Sequence, residues 1–221
     1  IERFRPLTYR DVPIPPLIPF QVYTMNGELK PIVEDPALSA HLTVNLQDER
    51  EIGPSFDRIL TPPQPPERLR RGKFILYTSL LRFPAFMFES YFDPRNAIVV
   101  LPGKAGKPVM TTFTGGLPVY SLVPFYTRAA KQAKPLLAIT RNLLSQLSDH
   151  PIYGSPWFRK LIEGDIVRSV AAINGAIHLL ERQKCACIIT GATNDPFSRA
   201  LIWLAGRRRI PSVCMQHGMI G

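Results

Sequence analysis

No stretch of about 18 uninterrupted apolar residues occurs in the 221-residue chain, although 45% of its residues are hydrophobic, so no segment has the length and character of a membrane-crossing helix. Cysteine is scarce. Cys185, Cys187 and Cys214 are the three, their C-x-C spacing matches neither a C-x-x-C redox pair nor a paired zinc knuckle, and no fourth ligand lies nearby, so no metal site is expected. They read as small apolar residues of buried strands, consistent with a reducing compartment. A P-loop is also missing: Pro102-Gly103-Lys104-Ala105-Gly106-Lys107 follows an apolar run, but Pro108 comes where G-x-x-x-x-G-K-[ST] would have its hydroxyl and its helix start. That segment reads as a lysine-bearing turn, and Thr114-Gly115-Gly116-Leu117 reads as another. No internal repeat or low-complexity tract is present.

What is there is charge, proline and alternating apolar runs. Lys and Arg number 27 against 17 Asp and Glu, a net charge of +10 that favours an acidic partner such as nucleotide phosphates or an anionic lipid surface. The excess is scattered over short clusters at Arg68 to Arg71, Lys104 with Lys107, and Arg207-Arg208-Arg209. None is a basic run with interleaved aromatics, so nucleic acid is not the expected partner. Basic residues near a helix C-terminus are favoured by the macrodipole alone, and a solvated turn or helix end accounts for each cluster.

Residues 1–72 carry Pro13, Pro15, Pro16 and Pro19 early and Pro62, Pro63, Pro65 and Pro66 late. Proline lacks an amide donor and restricts its predecessor, which predicts an extended N-terminal segment with one short strand at Ala40 to Leu46 and a linker at Thr61 to Arg71. Residues 73–221 alternate strand and helix. Strands are expected at Phe74 to Tyr77, Ala97 to Leu101, Val119 to Val123, Cys185 to Ile189 and from Ile210; runs without polar alternation suit strands covered on both faces. Helices are expected over Tyr126 to Leu147, divided or kinked by Pro135, and over Trp157 to Gln183, where Ile166, Val170, Ile173, Ile177 and Leu180 make an apolar stripe. A third opens at Asn194-Asp195-Pro196, as N-cap and first-turn proline, and ends at Gly206. This alternation predicts an α/β fold with a doubly wound, mostly parallel sheet and helices on both faces.

In such a sheet the carboxyl ends of the strands open onto the ligand crevice. Two segments are expected there. Thr190 to Asp195 follows the Cys185 strand, and its Asn194 and Asp195 can hold hydroxyl groups, although N-capping alone also explains Asp195. Gln216-His217-Gly218 follows the last strand: its polar groups need partners if buried, the imidazole can accept a proton, and the glycine permits close backbone approach. His150, beside a proline turn, and His178, inside the long helix, read as structural.

The stretch from Asn194-Asp195-Pro196 through Arg207-Arg208-Arg209 to Ile210-Pro211-Ser212-Val213-Cys214-Met215-Gln216-His217-Gly218 resembles the end of the Rossmann-like N-terminal domain in GT-B glycosyltransferase-like proteins of bacterial surface and capsule polysaccharide or teichoic-acid synthesis. Gln216 stands where a tryptophan often precedes the histidine in the teichoic-acid enzymes. The resemblance implies an acceptor-side domain of a transferase that moves a sugar or polyol phosphate from a nucleotide-activated donor to a glycan or lipid-linked acceptor. It implies His217 as general base, with Asn194, Asp195, Gln216 and Gly218 binding substrate, no metal, and no cofactor beyond the donor nucleotide. It also implies a cytoplasmic location with peripheral contact at the anionic inner face of a membrane. The chain begins at Ile1 and stops at Gly221 just past the motif, which predicts a fragment that is inactive without a second domain. Two other readings remain: half of a nucleotide-sugar epimerase, which calls for more cleft carboxylates, and a non-enzymatic basic module for anionic polymer, which calls for clustered charge.

Overall fold

A computed structural model of the chain describes residues 7–18, 71–77, 92–101, 116–150, 152–191 and 195–214. Near the start, β1 (Thr8–Tyr9) and β2 (Val12–Pro13) pair antiparallel across a two-residue turn. Arg10 and Asp11 take φ of 49° and 61° there, the left-handed geometry that matches the twist of a tight hairpin. The expected strand at Ala40 to Leu46 and most of the expected linker at Thr61 to Arg71 lie outside the described residues.

The remaining elements are β3 (Lys73–Tyr77), β4 (Ala97–Leu101), β5 (Val119–Ser121), α1 (Val123–Gln132), α2 (Lys134–Ser145), α3 (Pro156–Arg182), β6 (Cys185–Thr190), α4 (Pro196–Arg207) and β7 (Ser212–Cys214). All five strands from β3 to β7 run parallel, in the order β5-β4-β3-β6-β7. The chain therefore steps outward from β3 through β4 to β5, crosses back over α1, α2 and α3, and continues on the other side of β3. The order reverses between β3 and β6. With helices packed against it, this is a parallel α/β sheet, in which β6 and β7 are adjacent.

Alternation sorts the strand side chains into two buried clusters. Ile75, Tyr77, Ile98, Val100 and Ile188 join a large core with residues of all four helices and with Leu7, Val12, Ile14, Leu17 and Ile18 of the N-terminal segment. Leu76, Ala97, Val99 and Leu101 form a second cluster on the opposite face, with Phe74, Phe92 and Ile189 against it. The helices foreseen from the sequence are all described and all lie on the first face, so among the described residues the expected helices on both faces are not found.

Several expectations change in detail. The strand foreseen through Val123 stops at Ser121, and Val123 opens α1 because Pro124 suits a first helical turn. The division foreseen at Pro135 within Tyr126 to Leu147 is present but falls at Ala133, where two helices meet, and Pro135 sits in the first turn of α2, where its missing N–H is harmless. Gly206 does not end α4. The helix continues to Arg207, and the reversal falls at Arg209, at φ 55°, with the Ile210 N–H bonded to the Ala205 carbonyl at 2.9 Å. Cys214 is exposed rather than buried, since β7 pairs only with β6 among the described strands and its neighbour Val213 is 48% exposed. Cys185 and Cys187 are buried, and desolvation pushes the Cys185 thiol up to about 12, as expected of inert core residues.

Candidate functional site

The reversal of strand order fixes where polar groups gather. In open parallel sheets a crevice opens outside the carboxyl ends of the two strands that flank such a switch point. Tyr77 and Thr190 are the last residues of those strands and stand in register. A few residues after Thr190 in the chain, Asp195 caps α4: its Oδ1 accepts from the N–H of Phe197 at 2.9 Å and of Ser198 at 3.1 Å. The sequence makes this cap through Asp195 followed by Pro196, a cap acceptor before a residue that has no N–H to satisfy.

Asp195 does more than cap. The Tyr77 hydroxyl donates to the same Oδ1 at 3.0 Å, and the Tyr77 ring lies 5.0 Å from that of Phe197. Three donors thus converge on one carboxylate oxygen. The other oxygen, Oδ2, is buried and has no hydrogen-bond partner. A buried carboxylate oxygen in this state is costly unless a donor reaches it, so Oδ2 has the capacity to accept from a hydroxyl or amine.

Three further side chains bear on this point. The Tyr126 phenol of α1 is pushed up mainly by burial, then by the Asp195 charge, while Arg168 of α3 pulls it down, so the phenol lies within electrostatic reach of both. Arg199, one turn into α4, is drawn down by burial, an effect offset by the Asp195 carboxylate. No family model, curated protein or solved structure matches the chain. The site therefore stands on its own chemistry: one oriented carboxylate and one phenol at the ends of β3 and β6, with a second phenol within electrostatic reach.

Of the residues singled out in the sequence, Asp195 is the one described, and it serves as cap and crevice acceptor together. Asn194, Gln216, His217 and Gly218 lie outside the described residues. The strand that precedes the histidine motif, β7, ends at Cys214 in register with Thr190. Sequence reasoning missed Tyr77, Tyr126 and Arg168. A tyrosine closing an otherwise apolar strand, Phe74-Ile75-Leu76-Tyr77, was the available signal for the first; the other two lie on α1 and α3, far from Asp195 in sequence.

The two histidines read as structural behave as such. His178 Nδ1 is 2.7 Å from the Tyr120 hydroxyl, and His150 Nδ1 accepts from the N–H groups of Ile152 and Tyr153. At the opposite, amino end of the sheet, Arg71, Arg182, Lys184 and Arg208 line a groove with Glu181 over Leu180, Cys185 and Ile210. Among the described residues, no group of three His, Cys, Asp or Glu side chains can hold a metal ion, and no helix is long and apolar enough to cross a membrane.

Proposed function

We propose that this chain is the acceptor-side, Rossmann-like domain of a GT-B-type transferase that moves a sugar or polyol phosphate from a nucleotide-activated donor onto a hydroxyl of a glycan or lipid-linked acceptor. One observation carries the reading: the buried, unpartnered Oδ2 of Asp195 at the strand-order switch point, whose Oδ1 is held by Tyr77 and two backbone amides. A fixed carboxylate oxygen of that kind suits an incoming hydroxyl, orienting its lone pairs toward the donor. His217, two residues after the last described strand residue's neighbour Met215, is the base assigned to the acceptor proton, a task that suits an imidazole titrating near neutrality. Asn194, Gln216 and Gly218 complete the acceptor side, and the excess of basic residues favours an anionic membrane face carrying the acceptor.

The test is transfer by the intact protein from a nucleotide-activated donor to a polyol or glycan acceptor. Asp195→Asn keeps the cap, because asparagine caps as well as aspartate, but replaces the carboxylate charge. It is expected to raise the acceptor KM with little change in melting temperature. His217→Ala is expected to lower turnover by about 10²-fold or more, whereas Gln216→Ala leaves the base in place and retains most of it. Equal turnover of His217→Ala and wild type at saturating acceptor overturns the catalytic assignment.

A further inference from the structure

Basic residues that are scattered along the sequence are gathered by the fold. Arg71 precedes β3, Lys184 precedes β6, Arg182 ends α3 and Arg208 follows α4, and all four line one groove of about 740 Å³ at the amino end of the sheet. Two backbone features bring them together. The Lys73 N–H donates to the Lys184 carbonyl at 2.7 Å, which sets the residues before β3 beside the start of β6. The left-handed turn at Arg209 closes α4 and delivers Ile210 to the groove, where it joins Leu180 and Cys185 as a buried apolar floor.

Helix C-termini attract cations, so part of this charge answers the ends of α3 and α4. The amounts decide how much. Each helix end carries about half a negative charge, and Glu181 is the one carboxylate among the described residues lining the groove, so roughly two negative charges face four positive ones. A surplus of about two remains. Nor do the cations serve as caps, because the carbonyls of Leu179, Ala205 and Gly206 accept from the backbone N–H groups of Gln183, Arg208, Arg209 and Ile210. Among the described residues, none of the four cations makes an ion pair or a side-chain hydrogen bond. The neighbouring Arg207 differs, since its guanidinium lies over the Trp203 ring, 5.0 Å from the centroid.

We propose that this groove is a binding site for a small ligand carrying two or more linked phosphate groups. It stands at the opposite end of the sheet from Asp195, so it goes beyond the transferase reading and does not depend on it. Unpaired cations around one concavity repel one another, and a single ligand of several negative charges relieves them together. Three of the four are arginines, whose planar forks match phosphate oxygens and stay charged at every physiological pH. A phosphate group carries about 1.5–2 charges against one on a carboxylate, which favours phosphate for a surplus confined to so small a space. The volume lies within the range of about 300–1,000 Å³ common to small-molecule sites. No aromatic side chain is among the described residues lining the groove, so the stacking platform of a single-stranded nucleic-acid site is not found there. A bilayer surface is flat on this scale and leaves the recessed floor unfilled.

The experiment is calorimetric titration of the whole chain at low salt with inorganic triphosphate, set beside orthophosphate, citrate, phosphatidylglycerol vesicles and a short single-stranded DNA. Wild type is compared with Arg182→Gln/Arg208→Gln, with Arg71→Gln/Lys184→Gln, and with Lys131→Gln/Lys160→Gln, an exposed pair on α1 and α3 that removes the same charge elsewhere. Triphosphate is expected to bind at one equivalent per chain, about tenfold or more tightly than orthophosphate or citrate. Each groove pair should weaken it about tenfold or more through loss of charge-assisted hydrogen bonds, while the distant pair leaves it nearly unchanged. The two groove pairs share no residue, so a folding defect in one, seen in its melting temperature, leaves the other decisive. Absence of saturable binding to wild type, an equal loss in the distant pair, or orthophosphate or citrate bound as tightly as triphosphate overturns the proposal. So does binding of vesicles or DNA that falls in the groove variants while triphosphate is not bound, an outcome that makes the groove a contact for a macromolecular surface instead.

Discussion

Gly72 shows how a single residue sets the geometry on which the crevice depends. A Cβ there would stand 2.5 Å from the Lys184 carbonyl oxygen and 2.9 Å from the Ala186 nitrogen, both backbone atoms that cannot swing aside. The closeness follows from an irregularity in the β3–β6 pairing, where Lys73 is opposite Cys185 but Phe74 is opposite Cys187, so Ala186 is passed over. That slip determines which residues finish side by side at the carboxyl ends, Tyr77 beside Thr190. Gly72→Ala is expected to destabilise the fold by about 1–3 kcal/mol through forced backbone displacement, seen as a lower urea midpoint with an unchanged slope. An unchanged midpoint would show that the entry into β3 yields without loss. Nothing around Gly72 in the sequence announces this need, because the atoms it avoids belong to Lys184 and Ala186, on the far side of three helices.

At the scale of elements, α3 carries two carboxylates with opposite responses to pH. Glu163 accepts from Arg141 of α2 at 2.8 and 2.6 Å, and that bonding holds its carboxyl below the ordinary value of 4.5. Its contribution to stability is therefore present above pH 4.5 and lost as pH falls through the lower folded-state value. Asp165 is the reverse: burial raises its carboxyl above 3.8, the fold prefers the protonated form, and stability declines as pH rises from 3.8 through the folded-state value. Glu163→Gln is thus expected to be slightly less stable than wild type at pH 7, the margin being small because the pair is screened by solvent, and equal to it at pH 2. Urea unfolding at the two pH values measures this, and a difference that persists at pH 2 refutes the assignment. Helix α3 and its apolar stripe were legible in the sequence because burial of one face writes a 3.6-residue period. Strand β6 and the Asp195-Pro196 cap were equally plain, being local. The end of α4 was misplaced onto Gly206 because the left-handed residue is Arg209, a conformation that a basic side chain adopts only when tertiary contacts hold it there. The site was half legible: Asp195 is marked by its own neighbours, but Tyr77 meets it only through sheet order.

Across the whole molecule, the N-terminal segment belongs energetically to the α/β core. Val12, Ile14 and Leu17 are fully buried in the same cluster as residues of α3 and α4. Arg199 ties the segment down from α4, its Nη1 donating to the carbonyls of Pro16 at 3.1 Å and Ile18 at 3.2 Å. Prolines explain the need: Pro15 and Pro16 keep this stretch out of regular pairing, so its carbonyls must find donors elsewhere. Arg199 is buried and its pKa is drawn down by desolvation, so it is held in place by these acceptors and by the Asp195 charge. Because Arg199 also stands beside the cap of α4, the N-terminal segment and the crevice share a residue. Arg199→Met, similar in length and without donors, is expected to strip the Pro16 and Ile18 carbonyls of this donor, to cost about 1–3 kcal/mol mainly through the buried Ile18 carbonyl, and to loosen residues 7–18. Limited proteolysis should then cut within that segment well before the remainder of the protein, at a rate that rises as the urea midpoint falls. Cleavage as slow as in wild type would mean that burial of Val12, Ile14 and Leu17 holds the segment by itself, and that the arginine serves the crevice alone.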